Sequence, residues 1–295
     1  MFIVRFNGGL GNQMFQYAFM RALQKHYPDT QVLADLTVYD EGKQHNGFEL
    51  EKIFGIKLDK ATRKDIIKLS NYHPPINNKN ISLFLNKLYG KLVPKIKSNK
   101  KNIIKSFYGK DPSILFDLDL NKDYYLDGYW LGKPFYEKAL PGLLKEFSFS
   151  ADLEGEFSVL LSDFNQTESV AVHVRRGDYV NNPDFDVLSK DYYPNSIKYM
   201  LEKIPGAKFF LFSDDPEYCE KEFAFIKNKK IIFGNTGENS YKDMFLMSQC
   251  KHNIIVNSSF SYWAAVLNKN PDKIIISPDW ERAFSFVNKE WVVIK

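Results

Sequence analysis

The chain has 295 residues, 40 lysines and arginines against 36 aspartates and glutamates, and a formal charge of +4. A hydrophobic fraction of 44% with 26% charged residues excludes a disordered chain. The length exceeds what one hydrophobic core usually organises, so two domains are expected, and the mild charge makes no case for a nucleic-acid partner. Cys219 and Cys250 form no Cys-x-x-Cys or Cys/His spacing, which points away from a disulfide framework or zinc site and towards a reduced cytoplasmic setting. Residues 1–6 run straight into a glycine cluster without the pattern of a signal peptide, and no apolar run approaches the roughly 20 residues a bilayer span needs.

In chain order, residues 2–6 read as a short buried strand, 7–11 as a turn, and 12–27 as a helix with apolar Met14, Phe15, Ala18, Phe19, Ala22 and Leu23 on one periodic face. Residues 32–36 read as the next strand. From about 42 to 150 the pattern weakens into short helices and loops, with a lysine-rich, acid-free stretch near 86–110. Beyond 150 it becomes regular. Strand patterns at 169–174, 208–212, 230–233, 253–256 and 273–277 alternate with helical ones at 193–204, 216–223, 240–249 and 259–268. Such alternation predicts βα units around a parallel sheet, and the start of the chain has the same form. The expected architecture is α/β, with two facing Rossmann-like domains, 1–150 and 151–295.

Ligands of parallel sheets lie outside the carboxyl ends of the strands, so the residues following each predicted strand are the candidates for chemistry. The first such segment, Asn7 to Gln13, places Gly8, Gly9 and Gly11 between a strand and a helix, where backbone can approach a ligand and helix amides are available to an anion. The second, His173 to Asp178, gathers His173, Arg175, Arg176 and Asp178 at the end of an apolar strand. Alternation would send the two arginines to opposite faces unless the chain is already turning. Adjacent guanidinium forks suit a diphosphate, and a structural Arg–Asp pair at a strand end is the competing reading. Ser213-Asp214-Asp215 precedes Pro216 and can cap a helix, or offer a carboxylate to the two N–H donors of a guanine edge. A fourth segment, Phe233 to Asn235, follows the next strand. Asn257, Ser258, Ser259 and Phe260 likewise open a helix and can cap it, hold a phosphate, or both.

Four segments resemble those of glycosyltransferase family 11, which contains the α-1,2-fucosyltransferases. They are Gly8-Gly9-Leu10-Gly11-Asn12-Gln13-Met14-Phe15-Gln16-Tyr17-Ala18, His173-Val174-Arg175-Arg176-Gly177-Asp178-Tyr179, Phe212-Ser213-Asp214-Asp215 and Asn257-Ser258-Ser259-Phe260-Ser261-Tyr262-Trp263-Ala264, in the family's order along the chain. The resemblance implies a GT-B arrangement, GDP-β-L-fucose as donor, inversion to an α-1,2-fucoside on a galactose-terminated glycan, and no metal or other cofactor. By the same resemblance Arg175 and Arg176 hold the diphosphate, His173 and Asp178 lie near the nucleoside, and Asp214 or Asp215 reads guanine. Ser258, Ser259 and Phe260 contact phosphate, and Asn257 beside them belongs to the donor-binding set. Gly9, Gly11 and Asn12 form the donor-facing loop of the other domain, Asn12 reaching fucose or the β-phosphate across a cleft. Arg175, Arg176, Asn12 and Asp178 are then the catalytic set. The domains become an acceptor-side one (1–150) and a GDP-fucose-binding one (151–295).

Asp117-Leu118-Asp119 has the spelling of a metal-binding Asp-x-Asp but lies in the irregular region and reads as a turn. The general base is left open among Asp178, Asp184, Asp186, Asp191, Asp35 and His45. A nicotinamide-cofactor oxidoreductase is the first rival. Its fingerprint fails at Met14, where a third glycine belongs, and Asp35 is the sole acidic match to its ribose-binding position. A non-catalytic binder of anionic glycans through Lys95, Lys97, Lys100 and Lys101 is the second. The lysine-rich stretch also suits peripheral contact with an anionic membrane surface.

Overall fold

The computed structural model describes residues 1–40, 44–70, 102–106, 116–177, 188–279, 288 and 290–295. Asp178, Asp184 and Asp186, and the four lysines from Lys95 to Lys101, lie outside them. The chain divides into two compact units, Met1–Leu143 and Leu144–Lys295. Each is built on a wholly parallel sheet.

The first unit runs β1 (Phe2–Arg5), α1 (Leu10–His26), β2 (Val32–Asp35), α2 (Thr37–Asp40), α3 (Leu50–Phe54), α4 (Arg63–Leu69), β3 (Ile103–Ser106) and β4 (Tyr124–Gly128). Two 3-10 turns, Lys133–Phe135 and Glu137–Ala139, lead to α5 (Leu140–Glu146), within which the division falls. Sheet order is β2-β1-β4-β3. Strand alternation splits β1 between two layers. Phe2 and Val4 are buried, as are Met14, Phe15, Phe19 and Leu23 of α1. Ile3, with Leu33 and Tyr125 beside it, packs on Ile66 of α4. That helix is started by a capping box in which Thr62 and Asp65 satisfy each other's backbone N–H groups.

Two corrections concern this unit. Helix α1 begins at Leu10, so Leu10 and Gly11 are helical and the turn is confined to residues 6–9. Strands β3 and β4 went unread. The first is four residues emerging from a lysine-rich run, and the second is interrupted by Asp127 and closed by Gly128.

The second unit contains α6 (Asp152–Glu156), α7 (Ser158–Gln166), β5 (Ser169–Val174), α8 (Tyr192–Lys203), β6 (Lys208–Ser213), α9 (Pro216–Glu222), β7 (Lys229–Ile232), α10 (Tyr241–Gln249), β8 (His252–Ile254), α11 (Ser259–Leu267), β9 (Ile275–Pro278) and β10 (Val292–Ile294). The sheet order is β10-β9-β8-β5-β6-β7. Every residue of β5 is buried, which explains its unbroken apolar spelling. Val170, Val172 and Val174 share a core with Phe209, Leu211, Ile254, Ile276, and Ile197 and Met200 of α8. Each such side chain contributes about 1.5–3 kcal/mol through burial. Residues 173–177 therefore leave a rigid central strand.

Candidate functional site

In the second unit the chain proceeds from β5 to β6 and β7 on one side and resumes with β8, β9 and β10 on the other. The strand order therefore reverses between β5 and β8, and a crevice opens outside their carboxyl ends. His173 to Gly177 line one wall of this switch point and Asn257 to Phe260 the other. The His173 and Phe260 rings meet across it, with centroids 6.0 Å apart.

The arginine loop is held from the next strand. Asp214 accepts the Arg176 N–H and the Gly177 N–H, one on each carboxylate oxygen, both at 3.0 Å. A Cβ on Gly177 would stand 2.5 Å from Asp214 Oδ2, so a glycine is needed for the carboxylate to reach the backbone. Arg175 Nη1 lies 3.8 Å from Asp214 Oδ2, and Arg176 Nε the same distance from Asp215 Oδ2. These are ion pairs longer than hydrogen bonds. The Arg176 guanidinium carbon sits 3.9 Å from the Tyr218 ring centroid, a cation–π contact that fixes its plane. Asp215 also caps α9, accepting the Tyr218 N–H at 3.0 Å.

His173 is buried, and burial followed by the Arg175 charge pushes its ring down to about 3, leaving it neutral at ordinary pH. Its backbone carbonyl accepts the Tyr193 hydroxyl at 3.0 Å. His173 Nδ1 and Arg176 Nε are buried polar atoms without a hydrogen-bond partner among the described residues. Buried polar groups are normally satisfied, so both await a partner from outside the described residues. Opposite them, Ser258 caps α11 by accepting the Phe260 N–H at 3.3 Å, and the start of that helix supplies positive dipole. Asn257 is buried at the end of the β8 segment. Asn235, following β7, gives its amide to Asp243 at 2.7 Å, and burial raises the Asp243 carboxyl to about 7 against the lowering effect of that bond.

Of Gly8, Gly9 and Gly11 in the first unit, Gly8, at φ +83°, needs the left-handed region, and a Cβ there would stand 2.5 Å from Asn12 Nδ2. Gly9 is the extended residue preceding α1, and its position abuts the His45 ring. Two buried glutamines organise the loop. Gln13 donates to the Gly8 and Gly47 carbonyls at 3.0 and 2.8 Å, and accepts the Glu49 N–H at 2.8 Å. Gln16 accepts from Asn7 N at 3.1 Å and donates to the Gly128 carbonyl at 3.2 Å. The Tyr39 hydroxyl also donates to the Gly8 carbonyl, at 2.9 Å.

The sequence reading assigned no role to Gln13, Gln16, Gly177 or Tyr218. Uncharged amides at buried positions of α1 were the available signal for the glutamines. Nothing in the sequence pairs Tyr218 with Arg176, because that contact depends on the β5–β6 register. Asp119 sits in a surface turn, paired with Lys122 at 2.6 Å and accepting the Asn121 N–H. Among the described residues no cluster of three or more His, Cys, Asp or Glu could hold a metal ion, and no helix is long and apolar enough to cross a membrane.

Two parallel-sheet units with a ligand crevice at a switch point define the α/β, GT-B-like class. The fold is similar to that of the NodZ alpha-1,6-fucosyltransferase, a structure soaked with GDP-fucose, at a TM-score of 0.50 and 13% identity over 90% of this chain and 91% of that one. Over residues 1–295 the sequence matches glycosyl transferase family 11, and the chain belongs to that family. It is 32% identical to the O-antigen biosynthesis glycosyltransferase WbnK of Escherichia coli over 92% of each chain. It is 30% identical to an Escherichia coli alpha-1,2-colitosyltransferase over 99% of this chain and 98% of that one. The mouse galactoside 2-alpha-L-fucosyltransferase Sec1 is 31% identical over 48% of this chain and 41% of its own length.

Proposed function

We propose that this glycosyltransferase moves L-fucose from GDP-β-L-fucose to the 2-hydroxyl of a terminal galactose, with inversion at the anomeric carbon. The second unit holds the donor and the first holds the acceptor. The observation that supports the reading is the β5/β8 switch point, which is lined by Arg175, Arg176, the buried His173 Nδ1 and the start of α11. As the bond from the anomeric carbon to the β-phosphate oxygen breaks, negative charge grows on that phosphate, and Arg175, Arg176 and the α11 amides are suited to receive it. The acceptor oxygen bonds to the same carbon, and its proton passes to a phosphate oxygen of the departing GDP.

His173 and Asp178 are proposed near the nucleoside, with Asp214 or Asp215 reading guanine. Asp214 carries a further duty in shaping the arginine loop, and Asp215 in capping α9. Asn257, Ser258, Ser259 and Phe260 are proposed on the phosphates. Asn12, packed over Gly8, and the backbone of Gly9 and Gly11 are proposed to meet the donor from the first unit. A second donor is supported by the colitosyltransferase relative, which matches almost the full chain. We also propose a metal-independent reaction at the cytoplasmic membrane surface.

The test is a transfer assay comparing GDP-fucose, GDP-colitose and other nucleotide sugars against galactose-terminated oligosaccharides, with product linkage determined by NMR. An α-1,2-fucoside formed undiminished in EDTA is the expected result. Transfer of colitose alone would replace the donor, and activity lost in EDTA and restored by manganese would overturn the metal-free reading.

A further inference from the structure

The first unit has a switch point of its own. Strand β2 lies on one side of β1 and β4 on the other, so the crevice opens outside the carboxyl ends of β1 and β4. Arg5 and Asp127 are register partners across that boundary. The same row continues to Asp35 on β2 and Lys105 on β3, giving alternating charge across one face of the sheet. Two rows below, the same face is apolar and covered by α4 through Ile66.

The charged groups of this row differ in their use. Asp35 is 1% exposed, accepts the Thr37 N–H and hydroxyl at 2.9 and 2.6 Å, and accepts the Tyr125 hydroxyl at 2.6 Å. Its role is structural. Asp127 instead meets one guanidinium nitrogen, Arg5 Nη1, with both carboxylate oxygens at 3.3 and 3.2 Å, and the two side chains keep 25% and 19% exposure for Arg5 and Asp127. Tyr129 follows two residues later and is half-buried.

We propose that Arg5, Asp127 and Tyr129 form the subsite for the acceptor's terminal pyranose, Asp127 and Arg5 engaging adjacent hydroxyls and Tyr129 setting the sugar's orientation. This rests on the glycosyl-transfer reading above and names specificity-determining residues for it. The chemistry favours a neutral sugar over an anion. Arg5 is already matched in charge by Asp127, whereas a vicinal diol carries both donors and acceptors and complements a carboxylate beside a guanidinium. Tyrosine supplies an apolar face with a polar edge.

The experiment uses the full chain, lactose and GDP-fucose for steady-state kinetics, and methyl β-galactopyranoside, methyl β-glucopyranoside and methyl β-mannopyranoside for saturation-transfer NMR. Asp127→Asn should raise the lactose KM at least tenfold, with the GDP-fucose KM and the slow hydrolysis of GDP-fucose within twofold of the parent. Asp123→Asn is the control. It breaks an ion pair with the N-terminus and Lys68 at the opposite end of the same face and should leave the lactose KM unchanged. If Asp127→Asn fails to fold, Tyr129→Ala and the exchange Arg5→Asp with Asp127→Arg take its place, and a lactose KM restored by the exchange would reduce the pair to a structural one. An unchanged lactose KM in folded Asp127→Asn, an equal rise in Asp123→Asn, or no pyranoside signal in the parent would overturn the subsite. Failure of fucosyl transfer is distinguishable: a pyranoside signal that Asp127→Asn abolishes supports the subsite even where GDP-fucose proves to be the wrong donor.

Discussion

The two sheets present different chemistry at equivalent places. At the β5/β8 crevice arginines face aspartates at 3.8 Å, while those aspartates are committed to backbone amides and a helix cap. At the β1/β4 crevice a single arginine is matched by its carboxylate at 3.2 and 3.3 Å. On the proposed reading the first arrangement receives a ligand that brings two or more negative charges. The second shows an approaching molecule little net charge and many hydrogen-bonding directions. On that reading one fold principle serves an anion in one unit and a neutral sugar in the other, and the difference lies in what else the carboxylates bind.

The comparison breaks most easily at the arginines. Arg175→Ala and Arg176→Ala are each expected to lower kcat/KM by about 100- to 1000-fold, the scale seen when a charge-stabilising donor is lost. Arg176→Ala should also cost about 1 kcal/mol of stability through its Tyr218 stack. Transfer kinetics with a denaturant melt separates the two, and activity within a few-fold of the parent in both variants would remove the diphosphate assignment. Next in size is Gly8→Ala, which combines a left-handed backbone with a 2.5 Å clash against Asn12, and should cost about 1–3 kcal/mol in the first unit. A melt indistinguishable from the parent would show that the loop relaxes.

Much of the second unit is legible in its sequence because its strands are buried on both faces and its helices have periodic apolar faces; β5 was read to the residue. The first unit is legible only as far as β2. Strand β4, central to that sheet, carries Asp127 and ends in glycine, so the residue proposed to bind acceptor is the one that hides the strand. The arginine loop could be found because its charges interrupt an apolar run. What holds it could not, since Asp214 lies 38 residues from the Arg176 N–H it accepts. The early start of α1 escaped notice because glycines at a helix start look like a turn until Gln13 and Gln16 are seen tying the loop to Gly8, Gly47 and Gly128.

The neutral His173 sharpens the picture of the β5/β8 crevice. With its folded pKa depressed from 6.5 to about 3, the unfolded chain takes up a proton that the folded chain refuses between those values, so stability falls as pH drops below 6.5. At pH 5 the cost is about 2 kcal/mol relative to pH 8. His173→Gln removes it, so its stability deficit against the parent should shrink by that amount between pH 8 and pH 5 in urea titrations. A deficit independent of pH would place a charged ring in that crevice.

The last test concerns a carboxyl of the same unit with no arginine among its hydrogen-bond partners in the described residues. Asp243, bonded to Asn235 and raised from 3.8 to about 7 chiefly by burial, is protonated in the folded chain while the unfolded chain ionises. Its presence therefore lowers stability as pH rises from about 4 to 7, and the full penalty persists above that. Asp243→Asn keeps an oxygen for the Asn235 amide and removes the ionisation, so its stability relative to the parent should rise by about 4 kcal/mol between pH 4 and pH 8. Equal stabilities at both pH values would mean that the Asn235 amide alone offsets the burial of the carboxylate. Carboxylates in this unit would then be tolerated without a cation, and the amides gripping Asp214 would suffice to hold it whether or not Arg175 stands beside it.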